Sequence, residues 1–275
     1  MSLPLSLSWA LAALLAMASI IGLAIGMDGM YQLYPASATG LFAQDLVVLF
    51  GALPALLLGI LLSARGVAFG FLLWSGMLFY TAYTYFFMLV GAVTVLFPVY
   101  IAIVAVSTYS LLALLLRLDV ARLAERLASA PRRSAAVFFF VIVGLFTVLW
   151  GGLVASTLAT GEELSPVQHL VVAADGAILL PILAYAGLKL WQGTPGGYVL
   201  GGVLLVKTIA TGFTLAFTGA FSMLAAGQIE ASELFLVVVF SAMAVAASVL
   251  LVRYLPRSVP TDRRTNGEAG FASRV

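Results

Sequence analysis

Three charged side chains fall within long apolar runs of this 275-residue sequence: Asp45, Asp175 and Lys207. If those runs cross a bilayer, each charge costs on the order of 3 kcal/mol, which makes each a candidate for function. Asp175 and Lys207 lie deepest, on consecutive runs. At about 1.5 Å per residue, Asp175 stands ~21 Å from Lys189, and Lys207 ~16 Å from the start of its run. On adjacent antiparallel helices the two are expected to meet within salt-bridge or single-water distance. Such a pair could bind a polar group of a solute or relay protons. It could equally be a buried ion pair that only fixes packing, although such pairs add little net stability. As a unit, the pair predicts that Lys207→Ala is worse tolerated than Lys207→Ala with Asp175→Ala, since the single change strands a carboxylate.

Asp45 beside Gln44, and His169 beside Gln168, stand near the ends of two runs. Together they could line a pH-sensitive vestibule. The plainer alternative is that each meets headgroups and water. One run carries Trp74, Tyr80, Thr81, Tyr83, Thr84 and Tyr85. That stripe could stack on a planar or isoprenoid ligand, or serve as helix-packing polarity with an interfacial aromatic belt. The candidate substrate-binding set is Asp175, Lys207, Tyr80, Asp45 and His169. No catalytic residue, metal-ligand set or cofactor is expected. The chain has no cysteine, one histidine and neither GxSxG nor HExxH, so thiolate chemistry and a doubly ligated haem are set aside. An eighth run and an inward N-terminus set the lysine on the seventh run apart from that of retinal-binding proteins.

The elements that must position these residues follow from composition. Hydrophobic residues make up 63%, charged residues 9%, and the mean hydropathy is +1.16. A soluble domain would carry about a quarter charged residues, so this is an integral membrane protein. Eight runs are long enough to span, at about 20 residues each. They cover approximately 7–26, 40–63, 67–90, 93–116, 134–158, 167–190, 197–223 and 233–254. The first, within Met1–Met27, lacks a basic start and is longer than a signal-peptide core, so it is expected to be a retained span.

The chain also matches itself. At an offset of 127 residues, Pro54 to Phe86 lies on Pro181 to Phe213 without a gap, with ten of 33 positions identical. Composition alone would give roughly three or four. The identities include Pro54/Pro181, Gly66/Gly193, Gly70/Gly197, Thr81/Thr208 and Thr84/Thr211. Lys207 falls on Tyr80 and Asp175 on Val48, so the charged pair belongs to the second copy. The matched prolines are expected to kink their helices alike and free backbone carbonyls.

The expected fold is all-α: a polytopic membrane protein with eight transmembrane helices in two parallel four-helix repeats. Residues 1–117 form the first repeat, 118–133 a basic linker, 134–255 the second repeat and 256–275 a polar, disordered tail. Within the linker, Val120, Leu123 and Leu127 follow helical spacing, which suits an interfacial helix on anionic lipid or an ordinary basic topology signal. Twelve of the thirteen basic residues fall in connections on one side, and the other side carries Asp28, Glu162, Glu163, Glu230 and Glu233. The positive-inside rule then puts both termini in the cytoplasm, in a cell (inner or plasma) membrane. The leading expectation is a permease-like transporter for a small or lipophilic solute, rather than an enzyme. The alternative is a non-catalytic binding or assembly subunit of a larger membrane complex. Expected partners are the lipid bilayer, a small-molecule or lipid ligand, and a second copy or complex subunit, with no nucleic acid.

Overall fold

The computed structural model describes residues 2–26, 38–90, 93–127 and 130–255. The Asp28–Gly29 turn and the tail from residue 256 lie outside the described residues. Among those described, every element is helical. They are α1 (Ser2–Ile25), α2 (Ala38–Ala64), α3 (Ala68–Val90), α4 (Phe97–Leu115), α5 (Val120–Arg126), α6 (Arg132–Thr160), α7 (Pro166–Gln192), α8 (Pro195–Ala226) and α9 (Ala231–Tyr254). All but α5 contain a segment long and apolar enough to cross a membrane, eight in all. Local chemistry sets several bounds. α4 starts at Phe97, later than the apolar run suggests, because Pro98 suits a first turn and not a helix interior. Ser165 and Gln168 form a capping box ahead of α7. Thr194 caps α8 by accepting from the Gly197 N–H at 3.3 Å.

α2 and α7 each contain one π turn, at Val48–Ala52 and Asp175–Leu179. In each, an N–H reaches five residues back, Leu53 to the Val48 carbonyl and Leu180 to that of Asp175. A proline follows at once, Pro54 or Pro181, and having no N–H it cannot restore the α pattern. The turns closing the two helices also agree. The Gly66 N–H donates to Ser63 O and Val67 N–H to Leu62 O, at 2.9 and 3.0 Å; Gly193 donates to Leu190 O and Thr194 to Lys189 O, at 3.0 and 3.1 Å. Gly66 and Gly193 hold φ of +74° and +71°, the left-handed residue this termination requires.

α3 and α8 form the middle of the bundle, with 56% and 61% of an apolar 18-residue stretch of each buried, against 17% for α6 and 11% for α9. They touch most closely at Gly76, where a Cβ would stand 2.5 Å from Val206. In the first half, α1, α2, α3 and α4 close a ring, each packing on the next and α4 back on α1. The Ser8 hydroxyl, bonded to Ser110 at 2.9 Å and accepting from Trp74 Nε1 at 2.8 Å, ties that ring together. In the second half, α7 packs between α6 and α8, while α9 packs chiefly on α8. The basic linker, the α2–α3 turn and the α7–α8 turn share one end: Arg126 Nη1 donates to Gly66 O at 2.9 Å, and the Arg133 guanidinium lies 5.9 Å from the Trp191 ring. α5 puts Leu123 and Leu127 inward and packs on α8, leaving Arg122 and Glu125 exposed. Its apolar face therefore meets protein.

Candidate functional site

Asp175 opens the π turn of α7 and is 7% exposed. The wider turn changes the direction in which its side chain leaves the helix. Two donors from two other helices take the carboxylate: the Tyr83 hydroxyl of α3 donates to Oδ1, and Trp150 Nε1 of α6 donates to Oδ2 at 2.9 Å. Lys207 of α8 is 2% exposed, and its Nζ sits 4.3 Å from the centroid of the Tyr83 ring. An ammonium over an aromatic face is an attractive arrangement that strengthens away from water. Among the described residues, then, Asp175 and Lys207 share Tyr83 as a partner and make no direct salt bridge, the closer of the two arrangements expected from their depth. One ring serves both charges, its hydroxyl to the anion and its face to the cation.

Aromatic rings enclose this cluster. Phe87 meets Tyr83 edge-on at 5.1 Å and Phe79 does so at 6.5 Å. Phe146 lies 5.7 Å from Trp150 and 6.0 Å from Phe240. Low polarity around the carboxylate makes both of its hydrogen bonds count for more.

Burial in the second half ends near the level of the site. Away from the basic end, α6 buries no described side chain beyond Phe146, α7 none before Ala174, and α9 none before Ala247. α8 buries only Thr214 and Met223 in its last fourteen residues. A groove of about 550 Å³ between α6 and α7 is lined by Thr147, Trp150, Gly151, Gly176 and Pro181, among others. Trp150 is thus a wall shared by groove and site. In the first half burial continues across the same level, through Ser19, Asp45, Tyr85 and Tyr100.

The other candidates lie apart from this cluster. Tyr80 is 1% exposed and pairs with Thr214 Oγ1 at 2.8 Å, joining α3 to α8. Asp45 is buried in α2 and acts electrostatically on Tyr85 of α3, so it belongs with the interior of the first half. His169 is exposed near the start of α7. The sequence placed Tyr83 within an aromatic stripe without singling it out, and Trp150 carried no signal, standing in a run where a tryptophan reads as packing. Among the described residues, no group of three or more His, Asp or Glu side chains comes together.

This architecture defines a multi-pass, all-helical membrane protein with a polar cluster buried between α3, α6, α7 and α8. No family model, curated protein or solved structure matches the chain.

Proposed function

We propose that this chain is a permease-like membrane protein for a small or lipophilic solute, with Asp175 and Lys207 at its internal site. The observation that carries the reading is a carboxylate held by Tyr83 and Trp150, with an ammonium on the Tyr83 ring, at the level where side-chain burial in the second half thins out. Two charges in the bilayer interior are costly. Replacing such a pair with well-packed apolar side chains is often neutral or stabilising, so a purely structural role is a weak reason to keep it. The groove against Trp150 offers a route for solute to the cluster. In this reading the basic end faces the cytoplasm, and the loosened end of the second half faces outward.

The reading includes two parallel four-helix repeats related by an axis along the membrane normal. It is supported by the matched π turns, prolines and hairpin terminations, each separated by 127 residues. The copies differ in packing: the first closes its ring with α4 on α1, while in the second α6 and α9 meet through the Phe146–Phe240 ring contact.

A specific feature favours a second reading, an assembly subunit. Gly144, Gly151 and Gly152 of α6 have no neighbour within 4 Å of where a Cβ would stand, a small-residue surface on which another helix could pack. One experiment separates the two. The chain lacks cysteine, so Gly176→Cys supplies a single thiol in the groove, at a position where a Cβ meets nothing. As a permease the variant reacts with a membrane-impermeant thiol reagent added outside, and Thr147→Cys behaves alike. Silence at both thiols to reagent on either side of the membrane, with labelling restored on unfolding in detergent, overturns the permease reading.

A further inference from the structure

A second cavity lies back to back with the polar cluster, across the α3–α8 contact, and stands independently of the permease reading. It runs between α2, α3 and α8, holds about 300 Å³ and bears no charged residue on its walls. Phe69 and Tyr80 of α3 both line it, so at ~1.5 Å per residue it extends about 16 Å along the bundle. We propose that this slot holds one acyl chain of a membrane lipid.

Three observations carry the assignment. The first is volume. Protein interiors keep few voids larger than a water molecule, because atoms facing a void lose their dispersion partners. Water does not fill an apolar space lacking polar partners, whereas hydrocarbon fills it and restores those contacts. The second is closed polarity. Thr214 Oγ1 donates to the Ala210 carbonyl at 2.8 Å, which leaves Tyr80 to donate to Thr214, also at 2.8 Å. Both hydroxyl protons are committed within the protein, so nothing is offered to a headgroup or a free carboxylate. The third is the mouth. Phe213 of the lining is 54% exposed, and Gly51, Ala55, Ile209 and Ala210 beside it are partly exposed. These residues sit in the middle of α2 and α8, so the slot opens sideways at the depth of lipid tails. A lipid can insert a tail there and keep its headgroup at the interface, which a free fatty acid cannot do without drawing its carboxylate inward.

The full chain is reconstituted in nanodiscs with a phosphatidylcholine bearing a diazirine at mid-chain, photolysed, and its adducts mapped by mass spectrometry. Adducts should concentrate on Ala55, Ile209 and Ala210, above those on Val238 and Val249, exposed residues of α9. Gly51→Leu starts a side chain into the slot, since a Cβ there meets only Val47 Cγ1 at 3.9 Å; Ala210→Leu fills it from the other wall and serves where Gly51→Leu fails to fold. Because the leucine occupies the space a chain needs, slot adducts should fall about five-fold with those on α9 unchanged. Undiminished adducts in both variants, or slot labelling no higher than on α9, overturns the proposal. So does labelling by a diazirine fatty acid of the same length in the absence of labelling by the phospholipid.

Discussion

Tyr83 is the residue on which the polar cluster turns, because it partners both charges. That changes what the cluster should do under mutation. Depth alone made Asp175→Ala the natural rescue of Lys207→Ala. With the donors known, an alanine at 175 leaves the Tyr83 hydroxyl and Trp150 Nε1 without their acceptor, at about 1–3 kcal/mol for each stranded group. The rescue therefore needs an acceptor without a charge. Lys207→Ala with Asp175→Asn should be more stable than Lys207→Ala alone, and Lys207→Ala with Asp175→Ala should not. Reversible unfolding of the wild type and these three variants in one detergent measures this; asparagine offers one acceptor oxygen, so equal rescue by Asn and Ala would show that the hydrogen bond it keeps carries no weight. Tyr83→Phe keeps the ring under the ammonium and removes only the donor, so most of any coupling between Lys207 and the ring should survive it, and Tyr83→Leu should abolish it. The charges themselves were legible in the sequence because a charge in an apolar run has few innocent explanations. Their intermediary was not, since tyrosine and tryptophan occur in spans for many reasons.

At the scale of elements, the hairpins α2–α3 and α7–α8 show why certain identities recur. Gly66 and Gly193 take the left-handed conformation that ends the helix. Gly70 and Gly197 allow the next helix to start against the backbone of the last: a Cβ at Gly197 would lie 2.5 Å from Lys189 C, and one at Gly70 would meet the backbone of Ser63 and Leu62. Alanine at Gly66 meets no neighbour, so it should cost about 1 kcal/mol from backbone conformation alone. Alanine at Gly70 or Gly197 must separate two backbones and should cost more, by about 1–3 kcal/mol for overpacking. Thermal unfolding should rank both below Gly66→Ala. A ranking with Gly66→Ala at the bottom would place the constraint in the left-handed residue instead. All eight spanning runs were visible in the sequence because length and apolarity suffice to mark them. The π turns were not: a proline signals a disturbed helix, but whether it ends as a kink or a five-residue step depends on neighbours distant in sequence. The apolar face of α5 was equally visible, yet its periodicity could not say whether lipid or α8 would cover it.

At the scale of the whole molecule, one bundle carries two differently packed halves. The first shields Asp45 inside a closed ring, while the second holds Asp175 near the limit of its packing. Apolar composition is nearly uniform along the chain, so nothing in it could report that α6 and α9 bury so little of their surface. Charge distribution is far from uniform, and it bears on orientation. Arg126 and Arg133 are anchored to the α2–α3 turn and to Trp191, which gathers the basic connections at one end. An ion-rich end of this kind is retained on the side of synthesis, because moving guanidinium groups across hydrocarbon is the costly step. A cysteine at Glu125, exposed in the basic linker, should therefore be shielded from impermeant reagents in intact cells and react once the cells are opened. Cysteines at Glu163 and Glu230, in the exposed connections of the other end, should react in intact cells. The reverse pattern would turn the molecule over and make the loosened end of the second half face inward. The groove beside Trp150 would then take solute from the cytoplasm, and the Gly176→Cys thiol should be reached only from that side.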